Sequence, residues 1–285
     1  MKTKKNKLLI ILGLIGLSLA MLIVFFQLPY SATKNEFKND VQNYKAETTL
    51  HNETYTEEEL THFPEAIQKY FKVCGFIGKP KKTSIMVYIK SAPLRETPDS
   101  VALIVDYTLF SLATKPIRLA YIDSSLYGIP FEGYDSLQNG VGFMKGTLAK
   151  VIPLFNQIGP EMDKAQLLTY LAECFINPLA IMSEYISWET IDVNQVKATI
   201  SYEGKSSSGI FVFNDEGLVE SFYTNERAKI ASDGKIEYPL WLCTYENYKW
   251  QNDIFSPTSF KMIWRDSTGD FVYFTVEDVS IEYME

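Results

Sequence analysis

The side chains best suited to chemistry in this sequence are carboxylates in and after one helix-forming segment. Glu161 and Asp163 follow Pro160 in GPEMDKAQLLTYLAEC, and Glu189 lies in SWETID further along the chain. Paired carboxylates carry out glycoside hydrolysis when they lie about 5 Å or about 6.5–9.5 Å apart. Acids in a first helical turn also satisfy free backbone N–H groups and complement the helix dipole. Because residues two apart do not share a helical face, we favour capping and keep Glu161, Asp163 and Glu189 as catalytic candidates of an alternative interpretation.

No motif in the sequence supports histidine-dependent catalysis, a metal site or a nucleotide-binding site. The only histidines are His51 and His62, and the sequence has no H-E-x-x-H, C-x-x-C, G-x-S-x-G or G-x-x-x-x-G-K-[ST] motif. The stretch GYDSLQNGVG is rich in glycine but lacks the P-loop lysine, so we interpret it as a turn. A D-x-[DN]-x-[DN]-G calcium loop is also missing from the sequence. We therefore expect neither a metal nor a cofactor.

Two further side chains could contribute to a binding site. Trp188 precedes Glu189 at the start of a predicted strand, where an aromatic residue either anchors the core or stacks on a sugar-like ligand. Arg227 ends the strand that contains TNER, and an ion pair with one of the acids would explain both groups without any reaction.

A helix over Pro160–Ile176 is predicted by its start signal and by its apolar spacing. Proline suits the first helical turn, and acids favour the N-terminal end. Shorter helices are predicted over Pro64–Cys74 and Pro178–Tyr185. The apolar stripe of the main helix consists of Leu167, Leu168, Leu171, Ala172, Phe175 and Ile176.

Most of the remaining chain alternates or runs in β-branched and aromatic stretches separated by turn sequences such as NDEG, SDGK and DSTGD. Short connections of this kind predict antiparallel neighbours, about nine to eleven strands in all. Several strands, such as FVYFTV, are apolar on both faces and therefore need a cover on each side. We expect an α+β domain in which a curved antiparallel sheet, an open or half β-barrel, holds the Pro160–Ile176 helix on its concave face.

The N-terminal segment predicts a membrane anchor. Four lysines within the first seven residues precede Leu8–Leu28, 21 uncharged residues that would span about 31 Å as a helix. A cleaved signal peptide is the alternative, but its apolar region is usually shorter and Tyr30 occupies a position where cleavage favours a small residue. Basic residues stay in the cytoplasm, so we expect a single-pass protein of the cell envelope with a cytoplasmic N-terminus. The predicted organisation is anchor 1–28, polar stalk 29–62 and extracytoplasmic domain 63–285.

Charge and cysteine content restrict the partners. Of 27 basic residues, 23 lie after the four lysines, against 35 acidic residues, which gives that part a charge of −12. An acidic surface repels phosphate backbones, so nucleic acid is excluded as a partner. The three cysteines, Cys74, Cys174 and Cys243, lie beside apolar residues and are expected to be unpaired thiols in the core.

An ordered series of motifs, from FPEAIQKYFKVCGFIGKP to YENYKWQNDIFSPTSFKMIW, resembles a bacterial family of unknown function whose members join N-terminal membrane segments to this domain. The resemblance covers about Phe63 to Tyr283. Two departures are Thr169, where the family often has arginine, and Gly133-Tyr134-Asp135, where it has an Arg-Asp pair. The layout is also similar to the open β-barrel of LolA/LolB-type lipoprotein carriers, which implies a curved sheet around an apolar cavity. The matching positions are Gly159, Glu161, Asp163, Leu171, Glu173, Pro178, Trp188, Glu189, Asp192, Gly217, Phe222, Arg227, Trp264 and Tyr283.

These observations favour a membrane-tethered protein that binds a lipid or another apolar ligand without covalent chemistry. One alternative is a carboxylate-dependent cell-envelope enzyme that acts on glycan, and another is a structural or interaction module that binds no small ligand. The residues expected to contact the ligand are Leu168, Leu171, Phe175, Trp188 and Arg227.

Overall fold

The computed structural model describes residues 2–46, 53–231 and 234–284. His51, one of the two histidines, lies outside these described residues. In the described chain the helices are α1 (Lys2–Gln27), α2 (Ala32–Ala46), α3 (Glu57–Leu60), α4 (Glu65–Val73), α5 (Pro160–Ala172) and α6 (Pro178–Ile181), with a 3-10 turn at Glu173–Ile176.

Eighteen strands occur within the described residues. The first half of the chain holds β1 (Ser84–Leu94), β2 (Leu103–Leu112), β3 (Ile117–Leu126), β4 (Ile129–Gln138), β5 (Val141–Leu148) and β6 (Ile152–Ile158). The second half holds β7 (Ile186–Asp192), β8 (Gln195–Tyr202), β9 (Lys205–Phe213), β10 (Val219–Thr224), β11 (Lys229–Ile230), β12 (Ile236–Glu237), β13 (Leu240–Glu246), β14 (Lys249–Gln251), β15 (Ile254–Ser256), β16 (Ser259–Asp266), β17 (Gly269–Val276) and β18 (Ser280–Met284).

One large sheet contains fourteen of the described strands, in the order β6-β5-β4-β3-β2-β1-β17-β16-β13-β10-β9-β8-β7, with β18 beside β1. Its pairings are antiparallel, as the short connections predict. The two edge strands, β6 and β7, are consecutive along the chain, and α5 lies in the connection between them.

The sheet curves around α5. This helix packs on β4, β5 and β6, and also on β8 and β9 from the opposite half of the sheet. The two halves meet through their turns, because Lys205 Nζ donates a hydrogen bond of 2.8 Å to the carbonyl oxygen of Gly140. The sheet is not closed into a barrel. The predicted fold class, a curved antiparallel sheet with a central helix on its concave face, is confirmed.

The predicted number of strands is too low. GYDSLQNGVG, interpreted as a turn, contains most of β4 and the start of β5. The turn itself is limited to Asn139 and Gly140. Gly142, and Gly146 just after this stretch, lie in β5, where other groups approach the backbone closely. A Cβ at Gly142 would lie 2.6 Å from the carbonyl oxygen of Met162 in α5, and the ring of Phe155 covers Gly146.

The convex face has its own cover, α2. Phe37, Val41 and Tyr44 are buried on one side of this helix. They form a cluster with side chains of β3 and β4, and the Phe37 ring lies 5.9 Å from the ring of Tyr121. The segment predicted as a polar stalk therefore includes a helix that packs on the sheet. This cover explains why strands in this half are apolar on both faces.

Candidate functional site

A cavity of about 160 Å³ lies between α5 and the concave face of the sheet. Its wall is mostly aliphatic and aromatic, with Val87 and Ile89 from β1, Val105 and Leu109 from β2, and Phe274 from β17. Helix α5 contributes Thr169 and Ala172, and the 3-10 turn that follows it contributes Glu173. Side chains alternate between the two faces of a β-strand, which places the apolar strand residues on the concave face. Helix α5 covers only part of that face, and the cavity lies beside the covered part.

The polar part of the cavity wall is an ion network centred on Arg118. Arg118 Nε and Nη2 donate to the two carboxylate oxygens of Glu173 at 2.8 and 2.9 Å. Arg118 Nη1 donates to Asp135 Oδ2 at 2.7 Å. The Arg118 side chain is 3% exposed, against 17% for Glu173 and 13% for Asp135. The fork of the guanidinium matches a carboxylate, so this network fixes the C-terminal end of α5 against β3 and β4.

Two neutral side chains complete the network. Arg118 Nη2 donates to the Tyr107 hydroxyl oxygen at 2.5 Å, and Gln166 Nε2 donates to Asp135 Oδ1. The C-terminal end of the helix receives a further bond, since the Tyr245 hydroxyl donates to the carbonyl oxygen of Ala172 at 2.5 Å. The buried polar groups of Arg118 thus have partners, as low-dielectric surroundings require.

Arg227 lies on the other side of the cavity. Its guanidinium carbon is 4.5 Å from the centre of the Trp241 ring and 5.4 Å from that of Trp264. Its Nε and Nη2 donate to Thr169 Oγ1 at 3.4 and 3.3 Å. Within the described residues it forms no ion pair, so the expected pairing with an acid is replaced by cation–π contacts.

The cavity wall carries equal numbers of basic and acidic side chains. Two arginines and two carboxylates line it, namely Arg118, Arg227, Asp135 and Glu173. Burial raises the pKa of Glu173, and the charge and hydrogen bonds of Arg118 oppose this rise. Burial also raises the pKa of the Cys243 thiol on the cavity wall. Among the described residues, Arg227 is thus the one cation of the site without a direct ion pair.

The acids proposed for catalysis are bound in different ways. Asp163 accepts a hydrogen bond of 2.7 Å from the backbone N–H of Gly142, and its other oxygen lies 3.3 Å from Lys205 Nζ. Glu161 is half-buried in the first turn of α5, and Glu189 is exposed on β7. None of these three acids lines the cavity.

Of the residues expected to contact a ligand, Arg227 lies on the cavity wall. Leu168 and Leu171 are fully buried in the core cluster, where α5 faces the sheet. Phe175 packs edge-on against Trp188 with ring centres 5.9 Å apart. These four residues stabilise the position of the helix and the following turn, outside the cavity lining.

Arg118 was not identified from the sequence as a site residue. A single arginine in the strand PIRLAYID gives no local signal, and its partners lie 17 and 55 positions away. The one available hint was a charged residue between the apolar residues of a β-branched and aromatic stretch. Among the residues that the structure describes, no three His, Cys, Asp or Glu side chains are grouped to hold a metal, and Cys74, Cys174 and Cys243 are free and buried.

The N-terminal helix α1 is long and apolar enough to cross a membrane, a property that anchors and signal sequences share. Its large apolar side chains are exposed, such as Leu12 and Leu17, at 55% each. It is the only such helix in the described part of the chain.

Residues 53–276 match the family described as "Family of unknown function (DUF6544)". This match covers more than half of the sequence, so the chain belongs to that family, and the resemblance to a family of unknown function is confirmed. A search of curated proteins found no match.

Two solved structures resemble this chain in fold. A LolA superfamily protein from Nitrosomonas europaea is 14% identical, with a TM-score of 0.39, and the match covers 77% of this chain and 94% of that one. A DUF1329 family protein from Desulfovibrio piger is 9% identical, with a TM-score of 0.40, and the match covers 77% of this chain and 90% of that one. Both similarities concern the fold alone.

Proposed function

We propose that this member of a family of unknown function is anchored in a membrane by α1 and binds a lipid or another apolar ligand in its β-rich domain outside the cytoplasm. The observation that carries the proposal is the largely apolar cavity of about 160 Å³ between α5 and the sheet. Ligand sites are concave, mainly apolar and equipped with a few polar groups, which describes this cavity.

The size of the cavity limits what it holds. An apolar cavity of about 150 Å³ in another protein stays dry and binds benzene. A cavity of about 160 Å³ therefore accepts one ring or a short acyl segment. Burial contributes about 0.8 kcal/mol for each methylene group that leaves water. A longer chain would have to extend beyond the space enclosed by the described side chains.

Arg227 is the group best placed to orient such a ligand. Among the described residues no carboxylate lies within ion-pair distance of its guanidinium, although the charge of Glu173 is near enough to attract it, whereas Arg118 is bound directly by Glu173 and Asp135. A hydroxyl, carbonyl or anionic group at the polar end of the ligand would bind Arg227 while the apolar part fills the space beside Val105 and Leu109.

The membrane tether is supported by composition and exposure. The apolar side chains of α1 are exposed, unlike those of a helix in a soluble core. Four lysines precede the apolar run, and such residues stay on the cytoplasmic side. The domain would then follow on the opposite side of the membrane.

The test is ligand binding by the domain from Pro29 to Glu285. Native mass spectrometry should detect a co-purified lipid or a mass shift with fatty acids or phospholipids, and an apolar fluorescent probe should report the affinity. The variant Val105→Phe places an aromatic ring in the cavity wall and should weaken probe binding at least about tenfold, a change of about 1.4 kcal/mol.

Val193→Phe is the matched control, because Val193 is 81% exposed. It should leave binding unchanged. If the domain carries no lipid, binds no probe and shows no difference between the two variants, then the cavity is not a ligand site and the proposal is wrong.

A further inference from the structure

Two neighbouring turns of the sheet expose large apolar side chains. The turn between β3 and β4 presents Leu126, Tyr127 and Ile129, with Tyr127 91% exposed. The turn between β5 and β6 presents Val151, Ile152 and Leu154, each close to half exposed or more. We call these six residues the rim.

The rim is one continuous surface. Strands β4 and β5 pair with Phe131 opposite Leu148, so the turns before β4 and after β5 lie at the same end of the sheet. The backbone N–H of Ala149 donates to the carbonyl oxygen of Pro130 at 2.7 Å, which joins the two turns directly. An exposed apolar surface of this kind marks an interaction site.

The charge of the rim is compatible with a membrane. The segments 126–129 and 149–154 contain no acidic residue, and Lys150 is their only charged residue. This contrasts with the acidic character of the rest of the domain. Tyrosine is enriched at the boundary between lipid and water, and lysine extends its charge from apolar surroundings to that boundary.

The end of α1 is held beside the rim. Lys150 Nζ donates a hydrogen bond of 2.6 Å to the carbonyl oxygen of Leu28, directly after α1. Helix α2 follows within a few residues and packs on β3 and β4. The short link cannot carry the sheet far from the point where α1 ends.

We infer that the rim contacts the lipid bilayer that α1 crosses, so that the domain is docked on the membrane by its turns as well as tethered by its helix. This inference rests on the proposed tether. The apolar helix α1 ends beside the rim, where Lys150 binds the carbonyl oxygen of Leu28, which favours lipid over a second protein as the occupant.

This orientation also gives the cavity a direct relation to the membrane. Leu94, the last residue of β1, and Val105, near the start of β2, line the cavity. The β1–β2 connection lies at the same end of the sheet as the two rim turns, because successive antiparallel strands alternate in direction. A ligand drawn from the bilayer would have a short path to the cavity.

The experiment measures membrane contact at a single labelled position of the full chain in vesicles of phosphatidylcholine and phosphatidylglycerol. Val151→Cys places a thiol on the rim, and Val141→Cys places one at the opposite end of β5, where the valine is 53% exposed against 58% for Val151. The three native cysteines are buried, so a maleimide fluorophore labels the introduced thiol. Wild-type chain treated in the same way gives the background.

The fluorophore at position 151 should show a blue shift and should be quenched by nitroxide-labelled lipid, whereas the fluorophore at position 141 should show neither change. Carbonate extraction tests the tether separately. A chain that stays in the vesicles with an unquenched label at position 151, or with equal quenching at both positions, overturns the docked rim and leaves the tether intact. Release of the chain by carbonate overturns both.

Discussion

Replacement of Arg118 by an uncharged residue tests whether its ion network supports the end of α5 beside the cavity. Arg118 is the centre of a network in which it donates two hydrogen bonds to Glu173 and one to Asp135, all between 2.7 and 2.9 Å. Arg118→Met keeps an unbranched, apolar side chain in the same place. The substitution removes the charge and leaves two carboxylates facing each other beside the helix end.

The expected loss of stability is large. Breaking a buried ion pair by removing one partner costs about 3–5 kcal/mol, because the remaining charge is uncompensated. Domains of this size unfold with about 5–15 kcal/mol. At about 2–4 °C per kcal/mol, the melting temperature of the Arg118→Met variant should fall by roughly 6–20 °C. Urea unfolding of the chain from Pro29, followed by tryptophan fluorescence, measures the change in the free energy of unfolding.

The loss should depend on pH. Burial raises the pKa of Glu173 in the folded chain, and without Arg118 that rise becomes larger. A carboxyl group whose folded pKa exceeds its unfolded pKa destabilises the fold as pH rises from the unfolded value through the folded one. Below both values it is protonated in both states and carries no penalty. The difference between Arg118→Met and the wild type should therefore be greatest near about pH 7.5 and smaller near about pH 5.

Arg118→Met combined with Glu173→Gln is the control for this reasoning. The double variant removes a charge of each sign, so it should be more stable at neutral pH than the sum of the two single losses predicts. A loss below about 1 kcal/mol for Arg118→Met, or an equal loss at both pH values, would refute the assignment of this network as a buried support for α5.

Other predictions address the second arginine, the helix on the convex face and the thiols. Arg227→Met should cost about 0.5–2 kcal/mol from the lost cation–π contacts and should abolish any preference for anionic over neutral probes in the binding assay; an unchanged preference would exclude Arg227 from ligand orientation. Phe37→Ala should lower the free energy of unfolding by about 3–5 kcal/mol, whereas Asn39→Ala, on the exposed side of α2, should change it by less than about 0.5 kcal/mol. Cys74 is buried, and burial raises the pKa of its thiol to about 12, so Ellman's reagent should react with the native domain only at the rate of unfolding; rapid reaction of a native thiol would contradict its burial.

Local signals in the sequence identified α5 and the class of the fold. Pro160 and the acids of the first turn indicate where the helix begins, whereas its burial extends beyond the predicted stripe to Asp163, Gln166 and Tyr170. The turn sequences indicate antiparallel strands. The strand that contains Gly142 and Gly146 was not predicted, because glycine is typical of turns. Here the missing side chains let α5 and the Phe155 ring approach the strand backbone closely, which only the folded arrangement reveals.

The parts that escaped prediction depend on contacts between distant residues. In α2, Phe37, Val41 and Tyr44 recur at helical spacing, but the polar composition around them conceals the buried stripe. The network of Arg118 and Glu173 is formed across 55 positions, and no pattern within one segment encodes it. Of the candidate site, the sequence indicated the helix and suggested Arg227 as a ligand contact, which stays a prediction, while the buried charges that hold the helix required the three-dimensional structure.

The position of α5 explains why the sheet keeps a cavity beneath it. Asp163 is fixed to Gly142 and Lys205 near one end of the helix, and Glu173 is fixed to Arg118 at the other. The helix therefore cannot settle onto the sheet to fill the space. If left unfilled, about 160 Å³ at about 24 cal/mol per Å³ costs about 4 kcal/mol relative to a packed core. An apolar group of matching volume would recover much of that free energy, so a bound ligand should raise the melting temperature. The buried ion network and the apolar cavity are thus two parts of one arrangement, in which rigid support of the helix preserves the space that the proposed ligand would fill.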